Sequence, residues 1–306
     1  MKNRRVQFLA IIATLIVVGA VLSFAASSGR GQSQNTKTES PVKPTVLRTE
    51  RKTAAGSKAS SPFDSAAVQN AMLKNDLTWT FGGKQQHGWH LYDSLIRQTL
   101  DTPSDSTTAD FAAALAAWQK KMRLSPSGVL DANTLMAMVS HWQSKRLKNR
   151  TYAETDQLVM PEPSEFYDPS RAAELRQVNR DAYEAYKKMI AAAIADPTLK
   201  LAHTEPGQLA PKEKYFKIIS AFRSREYQDR LRQKSPHAGS AGLAINSPHF
   251  TGRALDIYVG GDPVDTRDSN RAIQVNSPAY QWLVRNAERF GFRPYFYEPW
   301  HWEYVK

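Results

Sequence analysis

The chain of 306 residues contains no cysteine. That absence excludes a disulfide framework, a thiolate metal ligand, a cysteine nucleophile and a lipidated-cysteine anchor. Large apolar residues are scarce between 27 and 62, where Ser, Thr, Lys, Gly and Pro dominate. Such a segment cannot bury enough surface to offset its ordering entropy, and it reads as a flexible basic linker. A concentrated basic face on the rest of the chain is also missing. The net charge is +12, yet residues 1–62 hold ten Lys/Arg against two Glu, so eight of those charges lie in the tail. A nucleic-acid binder gathers its charge on a folded surface, so nucleic acid is not expected as a partner. An anionic wall or membrane surface fits the distribution better.

What is present begins with an export pattern. Lys2, Arg4 and Arg5 precede an apolar run from Val6 to Ala26. Positive charge ahead of an apolar core marks a secretory signal, and small residues in Ser23-Phe24-Ala25 suit a signal peptidase. The run is also long enough to span a bilayer. Residues 1–26 are therefore read as a signal peptide or an uncleaved anchor, with a membrane contact through 6–26 in the second case. Either way the rest faces outward, in the periplasm or on the outer face of the cytoplasmic membrane.

Residues 63–145 read as a small helical domain. Phe111, Leu115, Trp118 and Met122 fall on one helical face. Pro126 and Gly128 break the pattern, and Asp131 offers an N-cap for a second helix with Leu135, Met138, Val139 and Trp142 on its apolar face. Residues 63–105 are expected to complete the core. Residues 146–167, basic and then Pro-rich, read as a linker or a surface-wrapping segment. Asp168-Pro169 then suggests the start of a helix running to about Ala195. Beyond it the pattern gives strands at Tyr215–Phe222, Ala254–Val259, Tyr295–Tyr297 and His301–Val305, and one helix at Ala279–Phe290 closed by Gly291.

Two motifs near the C-terminus carry the chemistry. The first is Ser247-Pro248-His249-Phe250-Thr251-Gly252-Arg253-Ala254-Leu255-Asp256, and the second is Glu298-Pro299-Trp300-His301-Trp302-Glu303-Tyr304. His249, Asp256 and His301 are candidate metal ligands. Two imidazoles and a carboxylate suit Zn²⁺, and three protein ligands leave a fourth position open, as in a catalytic site. Alternation along the strand puts Ala254, Asp256 and Tyr258 on one side, with Ala254 leaving room for the ion. An ion pair of Asp256 with Arg253 or Arg223 is the structural alternative. Glu298 is the candidate base. Glu298 and His301 would face opposite sides of an ideal strand, but Pro299 places Glu298 in the turn before it. Trp300 and Trp302 could shield the site, and Glu303 could support His301. Arg223, in Ser220-Ala221-Phe222-Arg223-Ser224, offers a cation for an oxyanion or a terminal carboxylate. Ser247, Ser224, Gln228 and Trp300 are candidate substrate contacts. His237 reads as a loop residue, and Asp262, Asp265 and Asp268 as a solvated loop without the EF-hand spacing.

Together these elements resemble the zinc D,D-carboxypeptidases and dipeptidases of the VanY type, over roughly residues 165–306. The pattern Ser-x-His-x-x-Gly-x-Ala-x-Asp is complete here, as is Glu-x-x-His; in the upstream Ser-Gly-Tyr-Arg-Ser, Ala221 and Phe222 replace Gly and Tyr. The resemblance implies an α+β fold, with a small antiparallel sheet flanked by helices and one Zn²⁺ per chain. It implies that His249, Asp256 and His301 hold the ion, that Glu298 acts as general base and that Arg223 stabilises the oxyanion. The substrate would be a peptidoglycan stem peptide ending in D-Ala-D-Ala. Separately, Trp118-Gln119, Leu124, Gly128 and Thr134-Leu135 resemble the peptidoglycan-binding domain of wall hydrolases, a three-helix module, which implies glycan contact through 63–145. The alternatives are a peptidoglycan endopeptidase of the same fold and a non-catalytic wall-binding protein with a structural zinc.

Overall fold

The computed structural model describes residues 61–234 and 244–306, which belong to one compact unit. The expected signal or anchor at 1–26, most of the linker at 27–62, and His237 lie outside the described residues. Among the described residues no helix is long and apolar enough to cross a membrane.

The first part holds α1 (Asp64–Asp76), the hairpin β1 (Thr78–Phe81) and β2 (Lys84–His87), α2 (Asp93–Leu100), α3 (Ala109–Lys121) and α4 (Ala132–Ser144). This is four helices and a hairpin rather than a three-helix module. Gly82 and Gly83 both adopt positive φ and close the hairpin in two residues, the geometry that glycine pairs favour. The Asp131 carboxylate caps α4 by accepting the Thr134 N–H at 2.8 Å. Gln119 staples the turn between α3 and α4. Its amide donates to Val129 O and Thr134 Oγ1, and its carbonyl accepts from Gly128 N–H. The Gln, Gly and Thr of the wall-binding resemblance thus hold this turn together.

The second part begins with the short pair β3 (Leu158–Val159) and β4 (Val178–Asn179), followed by α5 (Arg180–Ile194). This helix starts twelve residues later than Asp168. The Asp168 carboxylate instead closes a local turn on Ser170, and Asn179 caps α5 by accepting from Asp181 and Ala182 N–H. After the pair β5 (His203–Glu205) and β6 (Gln208–Leu209) come β7 (Ile218–Ser220), α6 (Arg225–Lys234), β8 (Ala254–Ile257), α7 (Asp268–Val275), α8 (Pro278–Asn286), β9 (Phe292–Pro294) and β10 (His301–Tyr304). The strand expected at Tyr215–Phe222 shrinks to β7, because Phe216 takes φ 67° and turns the chain just before it. Tyr295–Tyr297 is a turn and not a strand, since Pro294 and Trp302 already pair across the hairpin. Helices α6 and α7 were not anticipated.

The central sheet has the order β7-β8-β10-β9, with all neighbours antiparallel. Buried apolar side chains from both parts form one contiguous core, with Trp89, Phe111 and Met138 at one end and Leu255, Phe292 and Trp302 at the other. Each such large side chain contributes about 1.5–3 kcal/mol when fully buried.

Candidate metal centre and its cleft

Strand register brings the expected ligands together. His301 on β10 lies opposite Asp256 on β8, and Glu303 lies opposite Ala254. Directly opposed residues on one face have Cβ atoms about 4.5–5.5 Å apart. His249 arrives from a different direction, on the 3₁₀ turn Pro248–Thr251 that precedes β8. Ser247 caps that turn. Gly252 ends it at φ 64°, where a Cβ would stand 2.8 Å from Asn179 N. The small residue in the motif is therefore required by the turn and by close backbone approach. Ala254, expected to make room for an ion, also faces the Glu303 side chain across the sheet.

His249, Asp256 and His301 are all buried, and one ligand atom of each lies within 4.8 Å of the others. His249 Nδ1 donates to the Ala221 carbonyl at 2.6 Å, which leaves the Nε2 lone pair aimed at Asp256 Oδ1, 3.3 Å away. His301 Nδ1 is 2.9 Å from the same Oδ1, while its Nε2 faces Glu303 Oε1 at 3.2 Å. Each imidazole thus has an acceptor for the nitrogen turned away from the centre, the arrangement that fixes the tautomer of a metal-bound histidine. A tetrahedral ion with bonds of about 2.0 Å places its ligands about 3.3 Å apart. The two edges running from Asp256 Oδ1 are close to that spacing, so the donor set fits a zinc-sized ion.

The charges support the same assignment. Burial, reinforced by the Arg223 charge, pushes His249 down to about 4, so it is neutral with a free lone pair. Burial also disfavours a charged His301, but hydrogen bonds to Asp256 and Glu303 outweigh it and lift the imidazole to about 9. Burial opposes the Asp256 charge as well, yet the neighbouring His249 and Arg223 hold its carboxyl well below the usual range. Three converging donor atoms, two imidazole nitrogens and one carboxylate oxygen, make a cation site, and a bound ion would compete with the proton on His301.

Glu298 sits in the turn between β9 and β10, as its Pro299 neighbour suggested. Glu298 N–H donates to Tyr295 O at 3.1 Å and Glu298 O accepts from His301 N–H at 2.9 Å. Glu298, His249, Asp256 and His301 all line one cleft of about 610 Å³. Burial pushes the Glu298 carboxyl up to about 7.

Arg223 does pair with Asp256, at 2.6 Å from NH2 to Oδ2. It also donates from Nε to Ser220 Oγ at 3.0 Å. Its backbone N–H donates to His249 O, so the strand end and the histidine turn are tied twice. Arg223 lines the cleft, as do Ser247 and Trp300. Ser224 and Gln228 do not line it. Ser224 Oγ accepts the Tyr227 N–H at the start of α6, and buried Gln228 donates to Ala244 O. Asp262 and Asp265 pair with Arg267, and Asp268 with Arg271. Sequence reasoning missed Arg146, whose guanidinium contacts Glu303 and stacks 3.9 Å over the Tyr295 ring. No local pattern marks it out.

Residues 175–306 match the family model described as VanY: D-alanyl-D-alanine carboxypeptidase. That region is similar to the VanY family. It contains the three candidate metal ligands, Glu298 and Arg223, and it leaves Arg146 outside. A solved LD-carboxypeptidase, LdcB, whose structure is described as revealing the molecular basis of peptidoglycan recognition, is 23% identical. The likeness covers 51% of this chain and 71% of that one, with a TM-score of 0.35. No curated protein matches.

Proposed function

We propose that the protein is a zinc-dependent D,D-carboxypeptidase that releases the terminal D-Ala from peptidoglycan stem peptides. The observation that carries this reading is the buried His249–Asp256–His301 cluster with Glu298 in the same cleft. Zn²⁺ held there by those three residues would supply a Lewis acid and acidify a water. Glu298, raised towards neutrality, accepts the proton of the attacking water and returns it to the leaving amine. Arg223 holds Asp256 in place and brings positive charge to the cleft wall, where oxyanion charge develops. Trp300 and Ser247 are cleft-facing and are assigned to substrate contact. Ser224 and Gln228 are reassigned to support of α6 and Arg223. Arg146, Arg150 and Arg171 also line the cleft and suit a substrate bearing carboxylates.

Export through residues 1–26, a position in the cell envelope, and glycan contact through 63–145 complete the proposal. Nucleic acid is not among the proposed partners. The test is mass spectrometry of stem peptides ending in D-Ala-D-Ala after treatment with the full chain. Loss of a single D-Ala supports the reading. Cleavage within the stem or cross-link would identify an endopeptidase, and no cleavage by a zinc-loaded protein would leave wall binding alone.

A further inference from the structure

The segment expected to be a linker, 146–167, reaches the metal centre at its first residue. Glu303 is fully buried, and both of its oxygens are engaged from that segment. Oε1 accepts from Arg146 Nε at 3.1 Å and from Arg146 NH2, and Oε2 accepts the Leu147 N–H at 2.9 Å. Arg146 is itself fixed on two further sides. NH1 donates to Gln143 on α4 at 2.8 Å, and the guanidinium lies over Tyr295. The same Glu303 Oε1 faces His301 Nε2. The first part of the chain also packs on the turn that carries Glu298. Phe81 meets Phe296 edge-on at 4.7 Å, and Trp142 lies 5.9 Å from the same ring.

We propose that Arg146 is a positioning residue for the metal centre: with the Leu147 N–H it fixes Glu303, and Glu303 fixes the tautomer and orientation of His301. The helical part of the chain is then a component of the centre, whatever else it binds. The physical reason is the cost of a buried carboxylate. Without its cation, Glu303 is a buried carboxylate with one partner removed, and its side chain is better turned away. It then no longer accepts from His301 Nε2–H, and the imidazole loses the partner that aims Nδ1 at Asp256 Oδ1. Partners of this kind typically change metal affinity 10–100-fold. Arg146 lies outside residues 175–306, the part of the chain that matches the VanY model.

This inference rests on the zinc reading, and the test separates the two. Zinc Kd is measured on the full chain by competition with a chromophoric chelator, for wild type, Arg146→Met, Arg146→Lys, Glu303→Gln and the double variant Arg146→Met/Glu303→Gln. Melting of each metal-free protein serves as the stability reference. Arg146→Met is expected to bind zinc about 10–100-fold more weakly. Arg146→Lys, which keeps the charge and loses the fork, should fall between. The double variant should bind within about twofold of Glu303→Gln alone, because both act through one group. Wild-type zinc affinity in Arg146→Met, with only a lowered melting temperature, overturns the inference. So do independent, multiplying losses in the double variant. If Arg146→Met does not fold, Arg146→Lys decides, and wild-type affinity there is the contrary result. A wild-type protein that binds no zinc overturns the zinc reading and this inference together.

Discussion

Asp256 and His301 face each other across neighbouring antiparallel strands, with Oδ1 and Nδ1 2.9 Å apart. The register that pairs them sets Glu303 on the same face, behind the imidazole. The candidate ligand and its hydrogen-bond partner are thus two residues apart on one strand, which is the spacing a strand offers and a helix does not.

The acid dependence of Glu298 is the first expectation. A general base must be ionised, so kcat/KM should fall on the acid side with a midpoint at or below the value of about 7 that burial gives the carboxyl, because a bound dication favours the charged form. The Glu298→Gln protein should show no such limb on its residual activity. An unchanged acid limb in that variant would assign the titration elsewhere.

The same carboxyl has a stability consequence with a definite sign. Its folded value lies above the unfolded value of about 4.3, so its contribution is fully present below about pH 4.3 and lost as pH rises through about 7. Metal-free Glu298→Gln should therefore be more stable than metal-free wild type at pH 8, by on the order of 1–3 kcal/mol, with the difference shrinking towards pH 4. Denaturant melts at the two pH values measure it. Equal stability at both would mean the carboxyl is not held in a desolvated site.

Arg223→Met should cost both stability and metal binding. Removing one partner of a buried ion pair costs about 3–5 kcal/mol, and Asp256 keeps only its contacts through Oδ1. Chemical denaturation gives the first quantity and zinc competition the second. If zinc affinity stays at wild type, Arg223 acts on substrate alone and not on the ligand.

At Gly252 the expected change is purely conformational. Gly252→Ala puts a Cβ 2.8 Å from Asn179 N at φ 64°, and strain of this sort costs on the order of 1–3 kcal/mol. A denaturant midpoint equal to wild type would show that the turn relaxes freely.

The candidate ligands and the candidate base stand out in the sequence because such a cluster concentrates residue types at short spacings. His249, Gly252 and Asp256 occupy eight residues, and Glu298 with His301 four. The reach of Glu298 into the cleft was legible only through Pro299. The hairpin at 78–87 was readable and missed, since Gly82-Gly83 follows an alternating Thr-Trp-Thr-Phe run. The early start expected for α5 failed because Asp168 caps a turn as readily as a helix. Arg146 carried no signal. It meets Glu303 across 157 positions of sequence, and only the packing of α4 against the β9–β10 turn brings them together.

The central claim is tested most directly by stripping the protein of metal and titrating zinc back while D-Ala release from a stem peptide is followed. Activity should return in proportion to added zinc and stop at one ion per chain, and Glu298→Ala should bind the same single ion while its rate falls by at least about 100-fold. Full D-Ala release by the stripped protein, or a wild-type rate in Glu298→Ala, would contradict the account.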